Sequence, residues 1–413
     1  GDFTQFKCAR NILWKCAMLQ ALFNLPRNVW LLGFISLVND SASEMLYPLV
    51  PLYLTSVLGA GSRALGLMEG IAEATASLLK LFSGLLVDKT GKTKPWIVFG
   101  YGIAGFGRPL IALATNWLWV LAVRFADRVG KGLRTSPRDT LLAACTETGH
   151  RGLAFGLHRA MDNAGAVIGP LAAWGLLAYG LPLRQIFCWA LVPAIICLGL
   201  SLGLREPKAA TQQVAAPGFN WKLQGLPPAF KKYLFVAALF TMGNSSNMFL
   251  LLRASDLGVQ AAYIPLLWTT VSATAMIFSI PLTALSDRLG RTAILTCGYI
   301  AYGLFYVGMS LVGHSLPALF ALFAFYGLFL GATEGVEKAL VADLAPQGMR
   351  GAAFGWFNLT VGFFLLPASV IFGAIYAATT PAWAFLFSAG CSFAAALLLV
   401  CLVRPTARSG SRA

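Results

Sequence analysis

Five basic side chains recur at helical spacing between positions 124 and 138. They are Arg124, Arg128, Lys131, Arg134 and Arg138, which follow one another at steps of four, three, three and four residues. Residues at these intervals share one face of an α-helix, so the stretch predicts a positively charged stripe. Such a stripe favours a carboxylate or phosphate group, because the planar guanidinium of arginine can hold either by two parallel hydrogen bonds. We predict that an anionic ligand binds at Arg124, Arg128 and Lys131, which lie nearest the middle of the surrounding apolar run.

Four carboxylic acids inside other apolar runs could take up and release protons. Asp40 and Glu44 are four residues apart and share one face of a helix, and Glu334 and Glu337 lie in a later run. A carboxyl group held in a partly dry cavity can bind a proton at physiological pH. We therefore predict proton coupling at Asp40 and Glu44, or at Glu334 and Glu337. Glu334 also precedes Lys338 by four residues, an order that favours a helical ion pair.

The apolar runs that carry these residues are long enough to cross a lipid bilayer. The 413-residue chain is 58% hydrophobic and 11% charged, and its mean hydropathy is +0.72, outside the range of soluble proteins. About twelve stretches approach the roughly 20 residues that a spanning helix needs. The predicted spans are 29–54, 65–87, 95–115, 117–144, 152–179, 184–203, 232–255, 260–285, 292–312, 316–343, 352–377 and 381–403. Charges in these spans must face a polar interior, because burying them in lipid is costly.

Two short motifs return in the chain at the same offset of 199 residues. The first contains Gly84, Asp88, Lys89, Gly91 and Lys92, and its second copy contains Thr283, Asp287, Arg288, Gly290 and Arg291. The second motif, Arg-Gly-x-Ala-Phe-Gly, begins at Arg151 and again at Arg350. Two unrelated motifs at one offset indicate a duplicated half. We predict six-helix bundles at 29–203 and 232–403, a cytoplasmic linker at 204–231, an N-terminal segment at 1–28 and a tail at 404–413.

A small residue, Asp, a base, Gly and further bases between the second and third helices of each half resemble the signature loop of the major facilitator superfamily. The resemblance covers residues 29–403, nearly the whole chain. It implies an all-α membrane protein whose twelve transmembrane helices form two pseudo-symmetric six-helix bundles, in the inner membrane of a bacterium. It also implies a central site that opens alternately to either side.

The same resemblance implies that the signature loops form a gate. We expect the carboxylate of Asp88 at the start of the eleventh span, near Arg350 and Gly351, and that of Asp287 near Arg151 and Gly152. The other predicted gate residues are Gly84, Lys89, Gly91, Lys92, Arg288, Gly290 and Arg291, with Arg134 and Arg138 at the cytoplasmic end of the basic stripe.

The fifth span contains two glycines, Gly165 and Gly169, followed by Pro170. This pattern resembles the core of the superfamily's antiporter motif, although Ala173 and Trp174 stand where that motif expects two glycines. Small residues at this spacing also allow two helices to approach closely, which requires no antiport. Both interpretations stay open.

The net charge of +15 would suggest a nucleic-acid partner in a soluble protein, but the placement of the bases argues against one. Most of the 31 Lys and Arg residues fall in the termini and the even-numbered loops, whereas the odd-numbered loops hold Arg63 and Arg184. This asymmetry predicts cytoplasmic termini and a basic face toward anionic lipid.

No metal, cofactor or catalytic group is indicated. The eight cysteines form no Cys-x-x-Cys pair, and the three histidines show no ligand spacing. A Gly-x-x-x-x-Gly-Lys-Ser/Thr loop is absent from the sequence, which argues against ATP as the energy source. The acids have no histidine or serine partners at a recognisable spacing, so an enzyme is not expected.

These features predict a monomeric, proton-coupled secondary transporter of a small polar solute with negative charge. A carboxylate, a phosphorylated compound or a carboxylate siderophore would fit, with Asn244 and Asn247 of the seventh span as further ligands. The alternatives are a drug/proton antiporter that exports amphipathic compounds, and a channel or scramblase. The acids of the first half nearly balance its bases, so a purely structural network of ion pairs also stays open.

Overall fold

The computed structural model describes residues 19–47, 49–50, 62–206, 223, 225–244, 247–259 and 264–403, with only the backbone at 62–74 and a few other positions. Within these ranges the chain is helical and contains no strand. Most of the predicted N-terminal segment and linker, and the predicted C-terminal tail, lie outside the described residues.

The described helices follow one another along two halves of the chain. Those of the first half are α1 (Arg27–Leu46), α2 (Ser62–Thr90), α3 (Lys94–Gly107), α4 (Trp117–Ala144), α5 (Arg151–Ala178), α6 (Leu183–Trp189) and α7 (Leu191–Leu202). Those of the second half are α8 (Pro228–Gly243), α9 (Met248–Asp256), α10 (Ile264–Leu289), α11 (Arg291–Leu311), α12 (Leu316–Leu344), α13 (Arg350–Ala378) and α14 (Pro381–Leu402). A 3₁₀ turn at Arg108–Leu113 extends α3, while α6 with α7 and α8 with α9 form the sixth and seventh spans.

Seven helical stretches in the described part of the chain are long and apolar enough to cross a membrane. They are Lys94–Leu113, Leu183–Leu202, Leu266–Leu289, Arg291–Leu311, Leu316–Leu344, Arg350–Tyr376 and Pro381–Leu402. The other predicted spans contain α1, α2, α4 and α5, which carry charged residues, and the pair α8 and α9, which is interrupted. Five spans thus depart from uniform apolar composition, and four of them belong to the first half.

The glycines of the fifth span allow α5 to approach α1 closely. A Cβ atom on Gly165 would lie 3.0 Å from the Cβ of Asp40, and one on Gly169 would lie 2.9 Å from the Cβ of Glu44. The two glycines and the two acids share a four-residue spacing, so each acid of α1 lies opposite a glycine of α5. Close helix contact therefore accounts for this motif.

The halves meet along two equivalent helix pairs, α2 with α13 and α5 with α10. In the first pair, a Cβ atom on Gly84 or on Gly351 would overlap the carbonyl oxygen of the other. In the second pair, the glycine is Gly152 of α5, and a Cβ atom on it would overlap the carbonyl oxygen of Thr283 of α10. Both crossings therefore depend on the missing side chain of a glycine.

We expect Gly84→Ala to separate α2 from α13, because the added methyl group would collide with backbone that cannot move aside. Overpacking of this kind costs about 1–3 kcal/mol. The matched control is Gly102→Ala in α3, where a Cβ atom meets nothing within 4 Å and replacing glycine in a helix should stabilise by about 0.5–1 kcal/mol.

The measurement is the labelling rate of Leu153→Cys, buried at the contact between halves, in a background without the eight native cysteines. We expect Gly84→Ala to increase the labelling rate and Gly102→Ala to leave it unchanged. Equal rates in the two alanine variants would contradict the prediction.

Candidate functional site

Each signature loop binds the first turn of a helix in the opposite half. Asp88 of α2 accepts hydrogen bonds from the backbone N–H groups of Gly351 and Ala352, at 2.8 and 2.6 Å. Asp287 of α10 makes the equivalent contacts with two N–H groups in the first turn of α5, both at 3.0 Å. A carboxylate satisfies the free N–H groups at a helix start and interacts favourably with the helix dipole. The predicted positions of both carboxylates are confirmed, and the molecule is closed at this end, which we call the signature face.

The second half adds an acid that strengthens one side of the closed face. Asp343 of α12 forms an ion pair with Arg151 of α5 and lies 3.1 Å from Arg291 of α11. Arg291 also pairs with Asp287. The first half has no counterpart of this acid, because Ala144 occupies the position 199 residues earlier. Charged side chains therefore hold the α5–α10 side of the face, whereas the docking of Asp88 on the α2–α13 side uses backbone N–H groups.

The remaining predicted gate residues have different environments. Lys89, Lys92 and Arg288 expose their side chains at the signature face. Arg350 is half-buried and interacts electrostatically with Arg151 and Asp343, so it faces the centre of the contact between halves. Gly91 and Gly290 turn the loops with φ angles of 66° and 97°, a region that favours glycine.

A buried ion pair joins the halves deeper in the molecule. Lys338 of α12 contacts one carboxylate oxygen of Asp139 of α4, and Arg138 binds the other oxygen at 3.0 Å. Lys338 and Asp139 are 199 residues apart, so they occupy equivalent positions and lie near the pseudo-twofold axis. Phe155 and Phe354 repeat this relation, with ring centres 6.1 Å apart. Arg138, assigned to the gate from the sequence, is thus part of a contact between the halves.

Arg159 of α5 lies between two carboxylates. Its Nη1 atom is 3.1 Å from Asp162 on the same helix, and its Nε atom is 3.6 Å from Glu334 of α12. Asp162 also accepts a hydrogen bond from Ser36 of α1 and lies 3.6 Å from Nδ1 of His158. The side chains of Arg159 and Glu334 are 25% and 35% exposed. Charged groups at this depth must face water or protein, so this contact borders a polar space between the halves.

The acids of α1 lie beside the middle of the basic stripe. Asp40 and Glu44 are half-buried. Asp40 interacts electrostatically with Asp162 and Lys131, and Glu44 interacts with Lys131 and Arg128. The predicted proton and anion ligands of the first half therefore share one region between α1, α4 and α5.

The five bases of α4 do not share one environment. Arg128 and Lys131 are half-buried, and Arg124 is buried. Arg134 is buried inside the first half, with its guanidinium 4.4 Å from the ring centre of Tyr101. Arg134, assigned with Arg138 to the gate from the sequence, is instead held inside the bundle by stacking against an aromatic ring of α3.

The predicted amide ligands of the second half lie at the break in the seventh span. Asn244 follows the end of α8, and Asn247 precedes α9. The side-chain oxygen of Asn244 lies 3.2 Å from the hydroxyl of Tyr302, and that of Asn247 lies 3.0 Å from the hydroxyl of Tyr326. Asn247 is exposed. Interrupted helices commonly supply solute ligands in transporters, so both residues stay predicted ligands.

The two acids of α12 face different partners. Glu337 accepts a hydrogen bond from Tyr299 of its own half at 3.2 Å, whereas Glu334 contacts Arg159 of the first half. The helical ion pair predicted between Glu334 and Lys338 is wrong, because each of these side chains turns toward a partner in the opposite half.

Several residues that join the halves are absent from the predicted set. They are Asp139, Arg159, Lys338 and Asp343. One signal was available in the sequence: the 199-residue offset of the signature loops also relates Asp139 to Lys338. Side chains at equivalent positions near a pseudo-twofold axis can meet, and these two carry opposite charges.

The sequence model of the Major Facilitator Superfamily matches residues 30–252 and 233–413. The chain belongs to this superfamily. An uncharacterized MFS-type transporter of Methanocaldococcus jannaschii is 34% identical over 384 residues, which cover 91% of this chain and 95% of that protein. The multidrug resistance protein MdtH of Photorhabdus laumondii is 25% identical over 324 residues, which cover 76% of this chain and 78% of that protein.

A bacterial homologue of the iron transporter ferroportin, solved in an outward-facing state, has a similar structure. Its TM-score is 0.72 at 18% identity, over 91% of this chain and 99% of that one. A likeness at this identity shows the fold, which consists of two six-helix bundles. The chain is therefore a multi-pass membrane transporter of the superfamily and not an enzyme, as the sequence predicted.

The two sides of the signature face should differ in strength. We expect Asp343→Asn to open the face more than Asp88→Asn does. Asp343→Asn leaves the buried Arg151 and Arg291 without this partner, a change that typically costs about 3–5 kcal/mol. Asp88→Asn removes a carboxylate from a helix start, which is worth about 0.3–1 kcal/mol.

Labelling of Leu153→Cys measures the opening, with Glu147→Gln as the control because the side chain of Glu147 is 89% exposed. If Asp88→Asn opens the face at least as much as Asp343→Asn, the proposed asymmetry is wrong.

Proposed function

We propose that this chain is a secondary transporter that moves a small, polar, negatively charged organic solute across the bacterial inner membrane. It works by alternating access and uses protons as the coupling ion. The observation that carries the choice of an anion is the group of bases Arg124, Arg128 and Lys131, which interact electrostatically with Glu44. Arginine in this group can bind a carboxylate or phosphate through two parallel hydrogen bonds.

The acids of α4 form their ion pairs with residues outside this group of bases, and Asp127 also interacts electrostatically with Arg128 and Arg124. Asp127 pairs with Arg108 at 2.9 Å, and Asp139 pairs with Lys338 and Arg138. Helix α4 as a whole carries five bases and two acids, a net positive charge of its own. This excess supports an anionic solute.

Glu44 can link proton binding to solute binding. Its carboxylate and an anionic solute compete for the same bases, Lys131 and Arg128. Protonation of Glu44 removes the competing charge, so the solute binds more tightly as the pH falls. A proton and an anion then bind together and cross in the same direction.

The distribution of bases supports a cytoplasmic signature face. Exposed bases there include Lys89, Lys92, Lys231, Lys232 and Arg288. Transmembrane proteins carry an excess of Lys and Arg on the cytoplasmic side. The molecule described here would then be closed to the cytoplasm.

Export of amphipathic drugs is the second candidate function, since relatives named as multidrug resistance proteins share 25–27% identity with this chain. A drug site would be favoured by aromatic side chains on the cavity wall. The largest aromatic cluster of the described residues is instead buried in the second half, where Phe240, Tyr302, Tyr326 and Phe329 pack on one another. This packing favours the polar solute.

A thermal-shift screen of the purified protein against organic anions, metal chelates and cationic drugs would identify the solute class. A ligand that binds the folded state raises the melting temperature. Counterflow of the radiolabelled hit in proteoliposomes then separates a carrier from a channel, because a channel shows no exchange.

We expect Arg128→Lys to weaken the binding of an anionic solute about tenfold or more. Lysine keeps the charge but cannot form the two parallel hydrogen bonds of arginine, and one charge-assisted hydrogen bond is worth about 1.5–3 kcal/mol. The matched control is Arg134→Lys on the same helix. Arg134 is buried with its guanidinium 4.4 Å from the ring centre of Tyr101, so this variant should lose stability and keep solute affinity.

Titration of the solute and thermal unfolding are measured on the same preparations. Normal affinity in Arg128→Lys, or a loss explained by unfolding, would remove the main support for an anionic solute.

We expect Glu44→Gln and Asp40→Asn to lose uphill transport and to keep solute exchange, because neither neutral side chain can carry a proton. Glu44→Gln should also bind the solute with little dependence on pH. Uptake against a gradient and exchange are measured in proteoliposomes, with Glu147→Gln as the control. Accumulation of solute by both variants would show that these acids are structural.

A further inference from the structure

We propose that the signature face binds a dissolved oxyanion, such as phosphate, between Arg151 of the first half and Arg350 of the second. The two arginines are the first residues of α5 and α13 and occupy equivalent positions, 199 residues apart. The bound anion is shared by both halves and therefore holds the face closed. This site is separate from the proposed solute site and does not depend on which solute the protein transports.

The packing of α5 and α13 directs the two arginines toward each other. Phe155 and Phe354, one helical turn further along these helices, meet across the pseudo-twofold axis with ring centres 6.1 Å apart. Side chains four residues apart share one face of a helix, so Arg151 and Arg350 lie on the same two faces, one turn nearer the signature face. Arg350 accordingly interacts electrostatically with Arg151, and more strongly than with Asp343.

Both guanidinium groups contain a buried Nε atom that makes no hydrogen bond within the described part of the chain. The side chain of Arg151 is only 7% exposed, and Arg350 is half-buried. A buried donor without a partner costs free energy, so nearly all such groups in folded proteins bind a protein atom, a water molecule or an ion. An anion between the arginines can accept hydrogen bonds from both of them.

The carboxylates of the signature face have other partners. Asp343 interacts electrostatically with Arg350, but its Oδ1 atom contacts Arg151 and its Oδ2 atom lies 3.1 Å from Arg291. None of the described acids forms an ion pair with Arg350. The remaining acids of the face bind helix starts or a neighbouring histidine, and they are Asp88, Asp287, Glu147 and Glu206.

The rest of the predicted cytoplasmic sequence offers no acidic side chain to this pair of arginines. Segments 207–222 of the linker and 404–413 of the tail contain neither Asp nor Glu. Two like charges at equivalent positions near the axis repel each other, so a ligand of opposite charge is the remaining source of compensation.

The chemistry of arginine favours an oxyanion as this ligand. Its planar guanidinium holds a phosphate or carboxylate group by two parallel hydrogen bonds. The loops that lead into α5 and α13 are exposed at 147–150 and 347–348. The arginines lie at the centre of the contact between the halves, so the anion reaches them from solution through these loops and not from the lipid around the helices.

The anion binds the closed conformation, because Arg151 and Arg350 belong to different halves and separate when the face opens. A ligand that binds one conformation shifts the equilibrium toward it. Without the anion, repulsion between the two arginines favours opening. The concentration of the oxyanion at the signature face therefore determines how readily the face opens.

Labelling of Leu153→Cys, in the full chain without native cysteines, measures the opening. Inorganic phosphate is exchanged for sodium chloride at equal ionic strength, so that screening of the two charges stays constant. We expect saturating phosphate to slow the labelling at least fivefold, a typical size for coupling between sites, and chloride to leave it unchanged.

Two variants of Arg350 separate anion binding from a structural role. Arg350→Gln removes the charge that repels Arg151 and breaks no ion pair, so it should label no faster than the parent in phosphate-free buffer and should not respond to phosphate. Arg350→Lys keeps the repulsion but lacks the planar fork, so it should need about tenfold more phosphate. The matched control is Arg205→Gln, an exposed arginine after the end of α7, which should respond as the parent does.

Thermal unfolding with and without phosphate checks that each variant is folded, since phosphate also stabilises folded proteins in general. Equal slowing by chloride, or a phosphate response that persists in Arg350→Gln, would overturn the inference. Faster labelling of Arg350→Gln in phosphate-free buffer would also overturn it, because Arg350 would then be a structural partner of Asp343. Slower labelling in nanodiscs of anionic phospholipid, with no effect of inorganic phosphate, would assign the two arginines to a lipid headgroup instead.

Discussion

A charge inside a membrane protein must be compensated by another charge, by free backbone N–H groups or by water, because lipid supplies none of these. This constraint explains how the two halves meet. At the signature face the carboxylate of Asp88 is satisfied by a helix start. Deeper in the molecule, Asp139 is satisfied by Lys338 of the opposite half, and Arg159 and Glu334 are partly exposed. The buried carboxylates of the closed face are therefore compensated by protein, and the polar space begins where compensation by protein is incomplete.

Duplication of the half produces both the symmetry of these contacts and the need to break it. Residues away from the pseudo-twofold axis can stay alike in both halves, as Asp88 and Asp287 do. Residues near the axis meet their own counterparts, so two identical charges would repel each other there. Phe155 and Phe354 remained identical because apolar rings attract, whereas Asp139 and Lys338 differ in sign. The contact between the halves thus requires that their sequences diverge where charges meet directly.

The proposed coupling in the first half depends on bases that two partners share, and a proton decides which partner holds them. Glu44 and the solute compete for Lys131 and Arg128. This competition links the proton to the affinity for the solute. A ligand shifts a conformational equilibrium through the difference between its affinities for the two conformations, so the solute and the proton must bind one conformation more tightly than the other.

The sequence by itself determined the class of protein and the duplication, and its resemblance to the superfamily implied the docking of both signature carboxylates. Apolar composition, a constant offset of 199 residues and short motifs can all be read directly from the order of the residues. Apolar runs long enough to cross a bilayer form helices, because the backbone polar groups must bond within the segment. The tertiary structure decided the partners of the charges, because a side chain on a helix can reach several neighbouring helices. Arg134 turned to Tyr101 inside the first half, Lys338 bound Asp139 across the axis, and Arg159 was placed between Asp162 and Glu334. Spacing along one helix gives the face on which a charge lies, but only the packing of the helices determines which opposite charge that face meets.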